Sequence, residues 1–452
     1  MKKNLNKKIQ CGLASVMMIF GLTSCGTPSY PATDVIPGKN NEVTLTDYET
    51  LAIAPVNTTL GSDYIRGIDA SEVKALEELG IKFYDSDNVE KDVFTILKNH
   101  GVNWIRLRIW NDYTVAENDS WGPYGFNNLE RTINMAQRAV KNDMKILLDF
   151  HYSDNWADPS KQYIPEMWKS YVEDEKGILK NNPDVAGLTE AVCNYTAYIL
   201  NAMKAAGCMP SMVQLGNEMQ GGIFKRSRTG ATKVDGKDGQ ELKNLTDDNR
   251  KAIIAAAAAK VKAVLPNCQV MIHMSNGGNA GYCNTMLSYD LTNIDVIGLS
   301  YYPFYTNHGT MSQLQSNIER IIEKGKKAVI AETSYCYDIK AYTDNVSNEF
   351  YTSDTASEDD EVISAANLTD YSGITTDSNG KKRIVASIEN QAGVIREIIE
   401  KTAEKGASGV FYWGACYLGV DDDMPSSWEN QTLFDSKGKV LPSLDVMAVS
   451  GK

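Results

Sequence analysis

Eight short apolar segments, each followed by a stretch with helical periodicity, constrain the fold of this chain more than any other feature of its sequence. Such alternation is typical of repeated βα units, in which helices cover a parallel sheet. Eight units spread over about 390 residues predict an α/β fold, a (β/α)8 TIM barrel with long βα loops, rather than an open doubly wound sheet. The predicted strands are 64–69, 104–110, 145–152, 212–218, 269–275, 296–302, 327–333 and 409–413.

The segments between these strands have the apolar spacing of amphipathic helices, most clearly at 128–141 and 391–403. Several of them end in a glycine just before a strand, where a left-handed helix cap is expected. The rhythm is interrupted at about 336–386, where acidic, Ser, Thr and Asn residues are frequent, and an insertion is therefore expected after the seventh strand. The glycines are Gly101, Gly207, Gly325 and Gly406.

The first 24 residues read as an export signal rather than as part of the fold. Four lysines precede an apolar run that begins at Leu13 and ends at Leu22, as in the n-region and h-region of a signal peptide. The following Thr23-Ser24-Cys25 completes a segment that resembles a bacterial lipobox, in which the cysteine becomes the lipidated first residue. We expect a lipoprotein signal at 1–24, with an ordinary cleaved signal as the alternative.

Residues 25–50 are expected to form a lipidated Cys25 followed by a flexible tether. Gly, Pro, Ser and Thr are frequent there and apolar residues show no periodic spacing. No later segment approaches the roughly 18 consecutive apolar residues of a spanning helix, so the lipid alone would hold the protein on a membrane. The sequence predicts an exported outer membrane lipoprotein, facing the periplasm or the cell surface, with its folded domain at 51–452.

The composition is acidic and excludes partners that need a basic surface. The formal net charge is -13 and the isoelectric point is near 5.0, so nucleic acid is not an expected partner. Six cysteines remain beyond Cys25, and their scattered spacing contains no C-x-x-C pair. Zinc is therefore not expected, whereas disulfides remain open for an exported protein. The six are Cys193, Cys208, Cys268, Cys283, Cys336 and Cys416.

Two of the predicted strands, the fourth and the seventh, carry a glutamate at or next to their carboxyl end: Glu218 and Glu332. Active sites of (β/α)8 barrels lie at the carboxyl ends of the strands, and strands four and seven face each other across the ring. The two carboxylates are therefore expected about 5 Å apart, the separation that retaining glycosidases use. Either glutamate alone could simply cap its strand, but the pair indicates a nucleophile and a general acid/base.

Neighbouring strand ends supply partners for these carboxylates. Period two places Arg106 and Arg108 on one face of strand two, and strand three offers Asp149 and His151 on its inner face. We expect a structural pair of Arg106 with Asp149 below the catalytic layer. Arg108, one step nearer the barrel mouth, is expected to hold a catalytic glutamate. His100, which ends a predicted helix, is expected at the surface.

Aromatic residues are concentrated at the same strand ends. Sugars present apolar C–H faces on which flat rings stack at low entropic cost, so Trp and Tyr side chains beside carboxylates predict a polysaccharide groove. Any single ring could equally belong to loop packing. The residues are Trp110, Trp156, Tyr301, Tyr302, Phe304, Tyr305, Trp413 and Trp428.

Seven segments of the chain resemble, in the same order, glycoside hydrolase family 53, the endo-β-1,4-galactanases. The most specific is 149–159, which reads Asp-Phe-His-Tyr-Ser-Asp-Asn-Trp-Ala-Asp-Pro, and the resemblance spans about residues 64–440. The other segments are 66–71, 102–111, 214–218, 300–304, 331–335 and 411–413.

This resemblance implies a retaining, endo-acting hydrolase of β-1,4-galactosidic bonds in galactan, the side chain of type I arabinogalactan in pectin. It implies Glu218 as acid/base and Glu332 as nucleophile, with Asn217 on the sugar 2-hydroxyl and Trp413 as the floor of the cleavage subsite. The enzyme is expected to be a monomer. The other expected substrate-binding residues are Asp69, Arg108, His151, Trp156 and Tyr302.

Two other functions remain open from the sequence. Another clan A β-glycanase, such as a mannanase or a xylanase, would share the two glutamates, because specificity lies in loops. A non-catalytic glycan-binding lipoprotein would keep the aromatic groove but tolerate the loss of either glutamate. No cofactor is expected to be required. Calcium remains open as a structural ion because the insertion is acidic, but 337–345 does not match the calcium loop of bacterial relatives, so no ligands are assigned.

Overall fold

The computed structural model describes residues 51–56, 60–111, 127–228, 239–338, 362–364, 374–376, 378–420 and 426–448. The predicted signal peptide at 1–24 and the tether at 25–50, with Cys25, lie outside the described residues. So does most of the predicted insertion at 336–386, including residues 339–345 of the segment considered for calcium.

Parallel strands in the described residues close into an eight-stranded barrel, in which each strand pairs with its neighbour along the chain and β1 pairs with β8. The predicted fold class is therefore confirmed. All eight predicted strands are present, and their ends differ from the prediction by three residues at most. The strands are β1 (Ile65–Asp69), β2 (Trp104–Ile109), β3 (Lys145–Phe150), β4 (Met212–Leu215), β5 (Gln269–Met274), β6 (Val296–Ser300), β7 (Lys327–Thr333) and β8 (Gly409–Tyr412).

Helices surround the barrel, and most of them begin where a polar side chain accepts a hydrogen bond from a free main-chain N–H of the first turn. Thr246 and Thr310 form full capping boxes, with Asn249 and Gln313 as their partners. The helices are α1 (Val73–Glu78), α2 (Val93–Asn99), α3 (Leu129–Lys141), α4 (Val185–Ala205), α5 (Asp247–Val264), α6 (Ala280–Leu287), α7 (Met311–Glu323) and α8 (Ile388–Ala403).

The predicted left-handed glycines are confirmed, since Gly101, Gly207, Gly325 and Gly406 all have positive φ angles. Gly101 shows most clearly why glycine is needed. Its φ is 92°, and a Cβ atom at this position would lie 2.5 Å from the Cα of Ala448. Only glycine allows both this backbone conformation and the close approach of the C-terminal segment.

The inner face of the barrel changes from apolar to charged along the strands. At the amino ends, a separate apolar cluster fills the barrel, and two residues further along four of these strands the inward side chain is polar and fully buried. Chemistry is thereby confined to the carboxyl end. The apolar cluster is Ile65, Trp104, Leu147, Met212, Met271, Val296, Val329, Ala331 and Phe411, and the polar residues are Arg106, Asp149, Gln214 and His273.

A small antiparallel sheet lies between β7 and α8 in the chain, made of Val362–Ser364, Lys382–Val385 and Thr375–Thr376. It belongs to the region predicted as an insertion. Among the helices that the structure describes, none has both the length and the apolar character needed to cross a bilayer.

Two expectations about individual side chains are settled by the fold. His100 is not a surface residue, as predicted, but is 9% exposed and hydrogen-bonded to Asp85 and Asp445. The prediction was wrong because the C-terminal segment returns to cover the end of α2, a contact between residues far apart in sequence. All six cysteines in the described residues are free thiols.

Candidate active site

Glu218 and Glu332 converge at the carboxyl end of the barrel, as predicted. Glu332 lies within β7, and Glu218 follows β4 by three residues. One carboxylate oxygen of each lies within 4.8 Å of the other and of a ring nitrogen of His273. This spacing is close to the roughly 5 Å between the carboxyl groups of retaining glycosidases.

The two glutamates lie in a cavity of about 520 Å³ formed by the βα loops. Nearly all predicted site residues line it; Asp69 is the exception. Asp69 is fully buried behind the cavity and binds Arg106 and Arg108, so its predicted contact with substrate is wrong and it holds the two arginines instead. The predicted residues in the cavity are Arg108, His151, Trp156, Asn217, Glu218, Tyr302, Glu332 and Trp413.

A sharp turn after β4 aims Asn217 and Glu218 into the cavity. Gly216 has a φ of 78° and Glu218 a φ of 47°, a left-handed conformation that costs a non-glycine residue about 1–2 kcal/mol. The side chain of Asn217 is held at both ends, because its Nδ2 donates to the carbonyl of Ala157 and its Oδ1 accepts from Arg106. The fold therefore maintains a strained backbone at the predicted acid/base.

Arg106, and not Arg108, holds Glu332. The guanidinium of Arg106 lies 2.8 Å from Glu332 Oε1 and 2.7 Å from Asp149 Oδ2. The expected pair of Arg106 with Asp149 is present, but it belongs to the catalytic layer rather than lying below it. The prediction that Arg108 lies nearer the catalytic glutamates than Arg106 was wrong. The strands of the barrel are tilted and staggered, so residues at different positions along two strands can lie at the same height in the barrel.

Arg108 instead supports the wall of the cavity. Its guanidinium pairs with Asp69 and Glu72 and lies 4.6 Å from the centroid of the Trp156 ring. Such stacking over an indole is a cation–π contact. The guanidinium is 5.7 Å from the Trp413 ring, so one charged group orients two predicted sugar-binding rings.

Two neighbours of Glu332 stabilise its anion against the effect of burial. Burial raises the pKa of Glu332, but the adjacent charge of Arg106 opposes that rise. The hydroxyl of Tyr302 donates to Glu332 Oε2 at 3.0 Å. Burial and the charge of Glu332 keep the pKa of Tyr302 well above its usual range, so Tyr302 remains a protonated donor.

The environment of Glu218 favours a bound proton. Desolvation and the nearby charge of Glu332 raise the pKa of Glu218 well above its usual range, and Arg106 opposes this only weakly. The hydroxyl of Ser300, 2.8 Å from Glu218 Oε1, also opposes the rise. Of two carboxyls in one cavity, Glu218 is the one that retains its proton, which matches an acid beside a nucleophile.

Aromatic rings form a wall of the cavity, with Trp413 4.6 Å from Trp428 and 6.2 Å from Trp156 between ring centroids. Of the eight aromatic residues predicted for the groove, five line it: Trp156, Tyr302, Tyr305, Trp413 and Trp428. The other three do not. Trp110, Tyr301 and Phe304 are buried in the hydrophobic core.

Sequence reasoning missed His273 and Ser300, which lie beside the glutamates at the ends of β5 and β6. Each is a polar residue at or near the end of an otherwise apolar strand, and that signal was available in the sequence. Within the described residues, Glu218, His273 and Glu332 are the one group of three metal-binding residue types that lie this close. Both His273 nitrogens are already hydrogen-bonded and Arg106 neutralises Glu332, so the group fits proton transfer better than an ion.

At the mouth of this (β/α)8 barrel, a buried carboxylate is bound by an arginine, and a second carboxyl that retains its proton lies within 4.8 Å of it. Retaining glycoside hydrolases use this arrangement. The sequence profile of glycosyl hydrolase family 53 matches residues 65–447. This protein therefore belongs to glycosyl hydrolase family 53.

Individual relatives agree with this assignment. The chain is 31% identical over 427 residues to an endo-beta-1,4-galactanase of Bacillus subtilis (strain 168), and the match covers 86% of each chain. It is 27% identical to an arabinogalactan endo-beta-1,4-galactanase of Thermothelomyces thermophilus, over 84% of this chain and 98% of the relative. The solved GH53 catalytic domain of Ignisphaera aggregans superposes with a TM-score of 0.69 at 33% identity, covering 89% of this chain and all of that one.

Proposed function

We propose that this protein is a retaining, endo-acting hydrolase of β-1,4-galactosidic bonds in galactan and in the type I arabinogalactan side chains of pectin. The convergence of Glu218 and Glu332 in one aromatic-walled cavity carries the proposal. Membership of family 53 supports galactan as the substrate over mannan or xylan. The presence of both carboxyls in the cavity supports an enzyme over a binding protein.

The first chemical step breaks the glycosidic bond. Glu332 attacks the anomeric carbon with one carboxylate oxygen while Glu218 gives its proton to the glycosidic oxygen. The shortened galactan chain leaves with a free hydroxyl, and the other sugar is held as an ester of Glu332. Arg106 stabilises the carboxylate before the attack, and Tyr302 donates a hydrogen bond to its oxygen.

The second step returns the enzyme to its starting state. Glu218, now ionised, takes a proton from a water molecule, whose oxygen attacks the anomeric carbon and releases Glu332. Two inversions at the same carbon give a product that retains the β configuration. Because burial and the neighbouring charge raise its pKa, Glu218 holds a proton in one step and accepts one in the next.

Substrate binding is assigned to the groups that surround this pair. We propose that Trp413 and Trp156 stack against sugar faces, with Arg108 keeping the Trp156 ring in place. Asn217 is proposed to contact the 2-hydroxyl, and Tyr302 and His151 to bind sugar hydroxyls nearby. No cofactor takes part in either step.

The decisive experiment measures new reducing ends on galactan, mannan and xylan side by side. We expect release from galactan, with rapid loss of viscosity because the cuts are internal. If mannan or xylan gave as many new reducing ends as galactan, or more, that polymer would be the substrate instead. Binding to a polymer without new reducing ends from any of the three would support a glycan-binding protein.

We further propose that the protein is exported, lipidated at Cys25 after removal of 1–24, and anchored in the outer membrane. The lysines, the apolar run and the cysteine of the first 25 residues support this proposal. Mass analysis of the mature N-terminus should find a lipidated Cys25, and a Cys25→Ala variant should move to the soluble fraction. A mature chain that begins elsewhere would contradict it.

We propose that the domain acts as a monomer, because the cavity with its two glutamates is formed within a single chain. Size-exclusion chromatography with light scattering should give a mass near that of one mature chain at all concentrations tested. A stable dimer would contradict this.

A further inference from the structure

Ser300 occupies a position between the two catalytic carboxyls that the mechanism above does not use. It is the last residue of β6 and is completely buried. Its Oγ lies 2.8 Å from Glu218 Oε1 and 3.5 Å from Glu332 Oε2, so its strong contact is with Glu218. A hydroxyl carries a single proton, and the partner that receives it decides what the residue does.

The other contacts of Ser300 direct that proton toward Glu218. Nε2 of His273 lies 2.9 Å from the Ser300 oxygen. Nδ1 of His273 receives the main-chain N–H of Glu218 at 3.3 Å, a donor that cannot reverse. Nδ1 is therefore the acceptor of the ring, and the ring proton on Nε2 points at Ser300.

Two further groups lie near Nδ1, one a donor and one an acceptor. The Gln214 amide nitrogen lies 3.1 Å from Nδ1 and offers a second donor. Asn217 Oδ1 is an acceptor 2.9 Å from Nδ1, but both of its lone pairs are already taken, by Arg106 at 2.9 Å and by the Gln214 amide at 3.0 Å. His273 itself stays neutral, because burial and the charge of Arg106 hold its pKa well below its usual range.

We propose that Ser300 is a positioning residue that makes Glu218 a stronger acid and leaves Oε2 as the oxygen that carries the proton to the glycosidic bond. His273 fills one acceptor position of the hydroxyl, so the hydroxyl donates to Glu218 Oε1. A donor at Oε1 stabilises the carboxylate and disfavours a proton on that oxygen. This inference rests on the proposed role of Glu218 as acid/base.

Loss of the Ser300 hydroxyl should change the alkaline side of the pH profile of kcat/KM. The limb of kcat/KM on the alkaline side reports deprotonation of the general acid, and a hydrogen bond to a charged group contributes about 1.5–3 kcal/mol. Ser300→Ala should therefore move the alkaline limb up by about one pH unit and lower kcat/KM on galactan about tenfold. The acid limb, assigned to Glu332, should hardly move.

The charges that face Glu218 are Glu332 from β7, Arg106 from β2 and Asp158 from the loop after β3, and Ser300→Ala leaves all three in place. A shift confined to the alkaline limb is then attributable to the hydroxyl. On an aryl β-galactoside whose leaving group needs no proton, the Ser300→Ala variant should lose much less activity than it loses on galactan. If the role of Ser300 were purely structural, Ser300→Ala would lower activity on both substrates equally and would move neither pH limb of kcat/KM.

Three variants complete the test: Ser443→Ala, Ser300→Cys, and Ser300→Ala combined with Glu218→Ala. Ser443→Ala is the matched control, since Ser443 is a fully buried serine whose hydroxyl bonds Gln391 at 2.5 Å outside the cavity, and both pH limbs should stay those of the wild type. Ser300→Cys, with a weak donor, should give an intermediate shift and guards against a folding defect in Ser300→Ala.

In a Glu218→Ala background rescued by azide, adding Ser300→Ala should cost no further rate, because its effect passes through Glu218. Unchanged limbs in both Ser300 variants, or an added loss in that background, would overturn the inference. A wild type inactive on every glycan would refute the proposed function instead.

Discussion

At the scale of single residues, two chemically identical carboxyls differ because of their neighbours. Glu332 has Arg106 at 2.8 Å and a tyrosine donor, and both favour its anion. Burial of Glu218 and the charge of Glu332 beside it favour its protonated form. The assignment of nucleophile and acid therefore depends on one guanidinium placed nearer to one carboxyl than to the other.

This assignment predicts opposite stereochemistry in two rescue experiments. Glu332→Ala should lose activity by at least about 10³-fold, and azide should restore it with an α-galactosyl azide product, because the anion replaces the nucleophile on its own face. Glu218→Ala should be rescued with a β-galactosyl azide, since the ester forms first and azide then replaces water. Product anomers are read by NMR, and exchanged configurations would reverse the two roles.

The two arginines offer a matched pair for a second prediction. Arg106→Lys weakens the multiple contacts of the guanidinium with Glu332 and Asp149, so the pKa of Glu332 should rise and the acid limb of kcat/KM should move up by about half a unit or more. Arg108→Lys should leave that limb in place and raise KM, because Arg108 stacks on Trp156. A shift in Arg108→Lys alone would restore the assignment made from the sequence.

At the scale of elements, the strands divide the barrel interior into an apolar base and a charged mouth. The base is packed by large rings, with Trp104 and Phe411 in edge-to-face contact at 6.3 Å between centroids. Gly67 in the middle of β1 gives the Phe411 ring its space, since a Cβ there would lie 2.1 Å from that ring. A small residue in one strand is thus required by a large residue in its neighbour.

Gly67→Ala should therefore destabilise the protein by about 1–3 kcal/mol through overpacking. The double variant with Phe411→Leu should recover part of that loss, because the smaller side chain vacates the volume that the new methyl needs. Denaturant unfolding of both single variants and the double variant gives the coupling free energy. Additive effects would show that the ring and the glycine do not compete for space.

At the scale of the whole molecule, a buried histidine joins regions distant in the chain. His100 ends α2 and bonds Asp85 at 2.9 Å and Asp445 at 2.5 Å, the latter in the 3-10 helix Pro442–Met447. Burial alone would lower the pKa of His100, but its bonds to the two carboxylates raise it above the usual value. A charged His100 in the folded state therefore holds the C-terminal segment against the barrel.

The pH dependence of stability follows from the sign of that shift. A histidine whose pKa is raised on folding stabilises the protein fully below its unfolded pKa of about 6.5, and the contribution is lost as pH rises through the folded value. His100→Gln should cost about 1–2 kcal/mol of unfolding free energy at pH 5.5 and progressively less as the pH rises from about 6.5 through the raised folded pKa. Thermal unfolding across pH would measure this, and a cost that grows with pH would contradict it.

The sequence by itself determined the features that depend on local pattern. Periodicities of 2 and 3.6 residues belong to each segment alone, so all eight strands and the barrel class could be predicted from them. Glu218 and Glu332 could be found because they close apolar strands. Export signals are likewise local, and the prediction for 1–24 and Cys25 rests on sequence alone.

Only the tertiary structure decided which groups meet. Arg106 rather than Arg108 reaches Glu332, Asp69 lies behind the cavity, and His100 is buried, because closure of a staggered barrel and the return of the C-terminal segment bring together residues far apart in sequence. The pairing of Ser300 with Glu218 across 82 positions is of the same kind. Such contacts depend on the relative heights of side chains in three dimensions, which periodicity along one strand does not contain.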